Sequence, residues 1–227
     1  MNIVLLGSPA SGKGTQATIL CRDFGLYHLS TGDIARSLAG KDARIKEIID
    51  SGKLVPHEEM TMYVIEFLGE KRTNLKNILF EGFPRFIPQY EALEKFLHTE
   101  GDDLDAVISL EVSEKVAIER ISSRRVCEKC GENFNVVTKL PKVDGICDKC
   151  GGNLIQRKDD NPESVKVRFQ YYKDNTKELI DYLDKKGILT KVNGERPIEE
   201  IAADLHKIVS GVKNENVIKN DVDILND

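Results

Sequence analysis

Residues 7–16 read Gly7-Ser8-Pro9-Ala10-Ser11-Gly12-Lys13-Gly14-Thr15-Gln16, and glycines at this spacing ahead of a lysine form the pattern of a phosphate-binding loop. Glycine lets consecutive backbone N–H groups wrap a polyphosphate while the lysine ammonium reaches its outer phosphates. A nucleoside triphosphate is the expected ligand. The apolar run Ile3-Val4-Leu5-Leu6 immediately upstream reads as a strand. The periodic segment downstream predicts a helix over 13–24, whose partly positive N-terminus faces the same anion. The residue after the lysine is Gly14, so the hydroxyl expected there for Mg²⁺ arrives one place later, as Thr15. An ordinary Gly/Ser-rich turn is the alternative, and a position directly after a strand argues against it.

Cysteine supplies the second chemistry. Two Cys-x-x-Cys pairs, Cys127/Cys130 and Cys147/Cys150, stand sixteen residues apart, each followed by a glycine that permits a tight knuckle. Four thiolates at this spacing in a reducing compartment predict a tetrahedral Zn²⁺ site, and with all four positions taken by protein the metal is structural. Iron fits four thiolates too. A redox dithiol needs one reactive pair, whereas here the same knuckle repeats. A nucleic-acid-binding ribbon needs a basic footprint, whereas Lys129, Lys139, Lys142 and Lys149 are balanced by Glu128, Glu132, Asp144 and Asp148. Cys21, among Ile19, Leu20 and Phe24, reads as a buried structural thiol.

The elements that must position these groups follow from apolar runs at 3–6, 27–29, 78–80, 106–112 and 188–192, separated by helix-periodic segments. That alternation predicts an α/β fold, a parallel sheet with helices on both faces. Asn161-Pro162 and Arg196-Pro197 each open a helix. Two stretches break the alternation, a charged helical excursion over about 30–55 and the Cys- and Gly-containing insert over about 123–160, and both read as small subdomains mounted on the sheet. From Gly211 the composition shifts to Asn, Asp and Lys, which reads as a weakly ordered tail, a docked strand or helix being the alternative.

Ligands of parallel sheets sit beyond the carboxyl ends of the strands. Leu29-Ser30-Thr31-Gly32-Asp33-Ile34-Ala35-Arg36 and Phe80-Glu81-Gly82-Phe83-Pro84-Arg85 follow two of the apolar runs, so Thr31, Arg36, Glu81 and Arg85 should face Lys13. Composition narrows the class further. With 40% hydrophobic and 31% charged residues the chain is one soluble domain with insertions, and a net charge of −5 argues against a general nucleic-acid binder. The start carries no basic segment followed by a long apolar one, so neither a signal peptide nor a membrane span is expected and the cytoplasm is the default.

The ordered series Gly-Lys-Gly-Thr-Gln, Ser-Thr-Gly-Asp, Gly52-Lys53-Leu54-Val55-Pro56, Gly82-Phe83-Pro84-Arg85, Arg120-Ile-Ser-Ser-Arg124-Arg125 and Gln156-Arg157-Lys158-Asp159-Asp160 resembles the adenylate kinases of the nucleoside monophosphate kinase family, over about residues 1–210. The resemblance implies a five-stranded parallel core with a mobile AMP-binding segment and a lid of the Cys₄ zinc type. The core would comprise 1–29, 56–122 and 161–210, the AMP-binding segment 30–55, the lid 123–160 and the tail 211–227. It implies ATP phosphates on Ala10, Ser11, Gly12, Lys13, Gly14 and Thr15, with Arg124, Asn133 and Phe134 over the nucleotide and the Arg196 backbone near its adenine. The AMP pocket would be Thr31, Arg36, Lys53, Leu54, Val55, Gly82, Phe83, Pro84, Arg85 and Gln89, whose carboxamide suits an adenine edge. Arg157 and Arg168 would clamp the phosphates between the nucleotides, and Arg120 would approach ATP from the lid hinge. The implied activity is reversible phosphoryl transfer from MgATP to AMP, giving two ADP, by a monomer.

The acceptor phosphate is already an anion, so no general base is needed. Alignment, charge neutralisation and exclusion of water are. His28 and His57 accordingly read as structural or exposed. The chain departs from the family pattern at Glu81, where Asp is usual before Gly-Phe-Pro-Arg and orients Mg²⁺ through water. It departs also at Ala10, where glycine is usual, at His57 and Phe86, and in a shorter AMP-binding segment. Thr31, rather than the alanine of uridylate/cytidylate kinases, favours AMP. Another monophosphate kinase, a GTP-dependent AMP kinase, and a phosphate-loop module contacting nucleic acid through its zinc ribbon are the competing functions.

Overall fold

The computed structural model describes residues 1–71 and 77–224. Along the chain run β1 (Asn2–Gly7), α1 (Lys13–Phe24), β2 (Tyr27–Ser30), α2 (Thr31–Ala39), α3 (Ala43–Asp50), α4 (His57–Lys71) and β3 (Ile78–Glu81). There follow α5 (Ile87–Thr99), β4 (Ala106–Glu111), α6 (Glu114–Ser122), β5 (Arg124–Cys127), β6 (Asn133–Asn135) and β7 (Leu154–Ile155). The chain closes with α7 (Pro162–Tyr171), α8 (Lys177–Lys185), β8 (Leu189–Asn193) and α9 (Ile198–Ile224). The expected strands and the helix over 13–24 are present. The backbone of the low-complexity tail continues α9 as helix as far as Ile224, so the helical alternative holds over 211–224, and the last three residues lie outside the described ones.

Among the described residues five strands form one parallel sheet in the order β2-β3-β1-β4-β8. β1 is central and buried along its whole length, as expected for a strand covered on both faces. Alternation then splits its side chains between two cores. Val4 and Leu6 join Phe80 and Val107 beneath α4, α5 and α8, whereas Ile3 and Leu5 join Leu79 and Ile108 beneath α1 and α9. Parallel register sets Leu5 beside Glu81, Ser30 beside Glu81, and Gly7 beside Leu110, so the chain leaves β1, β2, β3 and β4 at one edge.

Both stretches that broke the alternation are mounted at this edge. The first holds α2 and α3, capped by the Ser30 hydroxyl and the Asp42 carboxylate, which accept from the backbone N–H groups of Asp33 and of Arg44 and Ile45. The second holds the antiparallel sheet β6-β5-β7 with its own core of Cys127, Phe134 and Cys147. The chain returns to the main body through α7, where the Asn161 side chain caps Ser164 N and Pro162 occupies the first turn, as expected.

The first insert rests on that return. Ser164 donates its hydroxyl to Asp50 O at 3.2 Å, and Gly52, with φ +76°, lies so close that an added Cβ would stand 2.6 Å from Ser164 O. Gly52→Ala therefore combines a left-handed backbone with a backbone clash. It is expected to cost about 2 kcal/mol or more, read as a lowered urea midpoint at unchanged slope.

Candidate functional site

The loop between β1 and α1 folds back on itself through Ser11 N to Ser8 O and Gln16 N to Gly12 O, at 3.2 and 3.0 Å. Ala10 sits at φ 57°, a conformation that glycine adopts at less cost, which gives the departure at this position a physical meaning. The Lys13 ammonium arches over the loop and donates to Gly7 O at 2.9 Å, Ser8 O at 2.7 Å and Ser11 Oγ at 3.3 Å. Burial lowers its pKa to about 7; nearby Glu81 opposes the shift, and Arg85, Arg168 and Arg124 add to it.

Those arginines line one cleft of about 870 Å³ that runs from the loop across the β2 and β3 carboxyl ends to the second insert. Seven arginines reach it among the described residues: Arg36, Arg85, Arg120, Arg124, Arg157, Arg168 and Arg196. Each is held differently. Arg85 donates from Nε to Gly82 O at 2.8 Å. Arg124 grips the buried Asp160 carboxylate through Nε, 2.8 Å from Oδ2, and through its terminal nitrogen. Arg168 bonds Asp159 Oδ2 at 2.7 Å and Asp160 Oδ1 at 3.3 Å, and Arg157 bonds Asn133 Oδ1 at 3.2 Å. Arg36 pairs with Asp33, and Arg196 with Asp204.

Burial and mutual repulsion leave these cations short of countercharge. Burial, then Arg168, takes Arg85 down to about 10, with Glu81 opposing. Burial, then Arg124 and Arg36, takes Arg157 down to about 10 against Asp159 and Asp160. Burial lowers Arg168 and Arg120 as well. A polyanion entering such a cleft would relieve the strain on every member at once.

Nearly all residues anticipated from the sequence face this cleft: Ala10, Ser11, Gly12, Lys13, Gly14 and Thr15 on the loop, Thr31, Lys53, Leu54 and Val55 from the first insert, Gly82, Pro84 and Gln89, and Asn133 and Phe134 from the second. Phe83 does not. Its side chain is wholly buried in the core beneath α4 and α5, so only its backbone is near the cleft. Gln89 is buried, accepts from Arg85 N at 2.8 Å and donates to His57 O at 3.1 Å, which leaves one N–H and one lone pair for a ligand. Phe134 doubles as lid core and cleft wall. His57 and Phe86, two of the departures, pack ring to ring at 5.0 Å.

Sequence reasoning left Asp159 and Asp160 without a role, and both prove to position the arginines. Two consecutive carboxylates beside Arg157 were the available signal. His28, read as structural or exposed, donates from Nε2 to Glu81 Oε2 at 2.9 Å inside the cleft. Burial alone would raise the Glu81 carboxyl, but the His28 bond, then the His28 and Lys13 charges, hold it below its ordinary value.

The four lid cysteines converge. Their Sγ atoms all lie within 4.8 Å of one another, with Cys127 and Cys150 at 3.4 Å and Cys130 and Cys147 at 3.6 Å. Tetrahedral zinc with bonds of about 2.3 Å spaces its sulfurs by about 3.8 Å, so the donor set fits. Gly131 and Gly151 take φ +73° and +69° as each knuckle turns back, their N–H groups bonded to Cys127 O and Cys147 O. Cys21 is half-buried and its thiol is pushed up to about 12, by burial first and then by Glu81, consistent with an inert packing residue.

Residues 5–188 match the family described as adenylate kinase. The chain is 44% identical over 221 residues to the adenylate kinase of Caldanaerobacter subterraneus subsp. tengcongensis, covering 96% of this chain and all of that protein. It is 41% identical over 217 residues to the adenylate kinase of Bacillus subtilis, covering 94% of this chain and all of the relative. The adenylate kinase of Thermotoga maritima is 41% identical over 212 residues, covering 91% and 96%.

Lys13 provides a pH signature. Above its pKa of about 7 the free ammonium loses its proton, and adjacent phosphates, by raising that pKa, restore it. Binding of a nucleoside triphosphate near pH 8 is therefore expected to take up as much as about one proton. Titration calorimetry in buffers of different ionisation heat reads that uptake, and Lys13→Arg, charged throughout this range, removes it.

Proposed function

The chain belongs to the adenylate kinase family and transfers a phosphoryl group reversibly from MgATP to AMP, giving two ADP, and we propose that the side chains of the cleft divide this work between a donor half and an acceptor half. The observation that carries the reading is the concentration of Lys13 and seven arginines in one cleft with a minority of carboxylates.

In the donor half, Ala10 to Thr15 wrap the ATP phosphates and Lys13 exchanges its loop carbonyls for phosphate oxygens. Arg120, Arg124, Asn133 and Phe134 cover the nucleotide, with the Arg196 backbone beside its base. In the acceptor half, Thr31, Arg36, Lys53 to Val55, the backbone from Gly82 to Arg85, and Gln89 hold AMP. Arg85, Arg157 and Arg168 meet the transferring group, where guanidinium forks match charge spread over its equatorial oxygens. No side chain need remove a proton, because the acceptor oxygen is already anionic.

Hard oxygen donors suit the nucleotide's Mg²⁺, and Glu81 with Thr15 would hold it, where it would supply charge neutralisation for the phosphates. Residues 30–55 act as the AMP-binding segment and 123–160 as the lid on the core of 1–29, 56–122 and 161–210. Lid closure excludes water that would otherwise take the phosphoryl group. A structural zinc on Cys127, Cys130, Cys147 and Cys150 holds the lid together. No helix among the described residues is long and apolar enough to cross a membrane, and we read the protein as a cytoplasmic monomer.

ADP formation from ATP in Mg²⁺ is expected to depend on AMP and to be far weaker with UMP or CMP. ATP loss indifferent to AMP would overturn the acceptor pocket. Cys147→Ser is expected to reduce bound zinc from about one equivalent toward none. It should lower the melting temperature by roughly 5–10 °C, the shift for about 2–3 kcal/mol in a chain of this size; unchanged zinc and melting would sink the assignment.

A further inference from the structure

In phosphate-loop enzymes generally, a hydroxyl on the residue after the loop lysine and a carboxylate at the end of a neighbouring strand hold the nucleotide's metal. Here the residue after Lys13 is Gly14, without a side chain. A Cβ built there would lie 3.5 Å from Oε1 and 3.7 Å from Oε2 of Glu81. The Glu81 carboxylate, at the end of β3, thus stands beside the place where that hydroxyl would be.

A glutamate carries one more rotatable bond than an aspartate, and a carboxylate with that freedom needs fixing if it is to present an oxygen at a set point. His28 provides the fixing. It lies on β2, paired with Leu79, while Glu81 pairs with Ser30, so the two side chains share a sheet face diagonally. The 2.9 Å bond from His28 Nε2 occupies Oε2. Both oxygens lie near Gly14, and with Oε2 taken by His28 it is Oε1 that keeps no hydrogen-bond partner among the described residues. Both side chains are mostly covered, at 27% and 21% exposure, so the bond is shielded from competing water.

The geometry points to His28 as a positioning residue for the nucleotide's metal: by holding Oε2 it aims Oε1 of Glu81 at the metal side of the phosphate loop. An aspartate at position 81 would be too short to span to His28 from the same backbone, so the histidine matters only with the longer side chain. Outer partners that orient a ligating carboxylate typically alter metal affinity by about 10-fold or more.

The inference rests on the MgATP reading, and Mn²⁺ serves as the probe. Free Mn²⁺ measured by electron paramagnetic resonance gives metal affinity for the full-length enzyme·ATP complex without turnover. Wild-type enzyme·ATP that binds Mn²⁺ more tightly than ATP alone upholds the reading whatever the variants do, and equal affinity would overturn that reading. His28→Leu, and His28→Asn, which is too short to reach Glu81, are expected to weaken Mn²⁺ binding about 10-fold. Metal-free ATP binding and melting should be unchanged, and His28→Gln, which keeps a donor, should recover most of the loss. In a Glu81→Asp background, His28→Leu should add nothing. Wild-type Mn²⁺ affinity in His28→Leu and His28→Asn would overturn the proposal. So would an equal loss with Asp at 81, or a loss matched by weaker metal-free ATP binding.

Discussion

Like charges resist being brought together, and this chain gathers Lys13 and seven arginines around one cleft. In a low-dielectric site their repulsion is several times its value in water, and it adds to burial, the larger cause, in lowering the pKa values of Lys13, Arg85, Arg157 and Arg168. Three devices keep the arrangement folded. Backbone carbonyls take the ammonium of Lys13 and the Nε of Arg85. Asp160 is shared by Arg124 and Arg168, and Asp159 holds Arg168 as well. The cations are also distributed over separate bodies: Lys13, Arg85 and Arg120 on the sheet and its helices, Arg36 on the first insert, Arg124 on the second, Arg157 and Arg168 where that insert returns. Drawing these bodies closer raises the repulsion unless an anion lies between them, so a polyphosphate turns an unfavourable approach into a favourable one.

The sheet makes that distribution accurate. β1 is the central strand, so the loop that leaves it has β3 on one side and β4 on the other, and β2 beyond. Because the strands are parallel and in close register, Leu5, Ser30 and Glu81 lie at one level, with Gly7 two residues beyond it beside Leu110. Small loops then suffice to bring Lys13, Thr31 and Arg85 within one cleft. Two apolar cores hold the sheet from both sides, and only a small apolar cluster of α6 and α7 with Ala10 and Val112 packs at the carboxyl edge, which leaves most of that edge to polar groups.

What was legible in the sequence was whatever depends on near neighbours. The phosphate loop, the strand runs, the Asn161-Pro162 helix start and the cysteine knuckles all declare themselves within a few residues. Partners separated by long stretches of chain did not. Asp160 meets Arg124 across 36 residues and His28 meets Glu81 across 53, and only the assembled topology joins them. Phe83 looked like a pocket residue because its neighbours are, yet strand alternation and a turn send its ring into the core. Composition left 211–224 open between a weakly ordered tail and a helix; once a helix is nucleated and anchored by Ile201, Leu205 and Val209, each added residue needs only one more hydrogen bond to continue it.

The two inserts are stabilised by different physics, and the difference follows from how much apolar surface each can hide. The first buries Ile45 and Ala35 in the main core and ends against α7 at Gly52, so it borrows the stability of the sheet. The second buries little beyond Cys127, Phe134 and Cys147, and leaves Val137, Leu140 and Val143 at 70%, 65% and 61% exposure. Apolar side chains that stay in water contribute nothing to holding three short strands together. Four converging thiols stand where a larger core would be, bringing β5, where Cys127 ends the strand, together with the knuckles around β7. Arg124 and Phe134 are carried on the strands so tied. β5 and β6 pair directly, Arg125 beside Phe134 and Val126 beside Asn133, so Arg124, Asn133 and Phe134 are placed on the cleft wall as a unit.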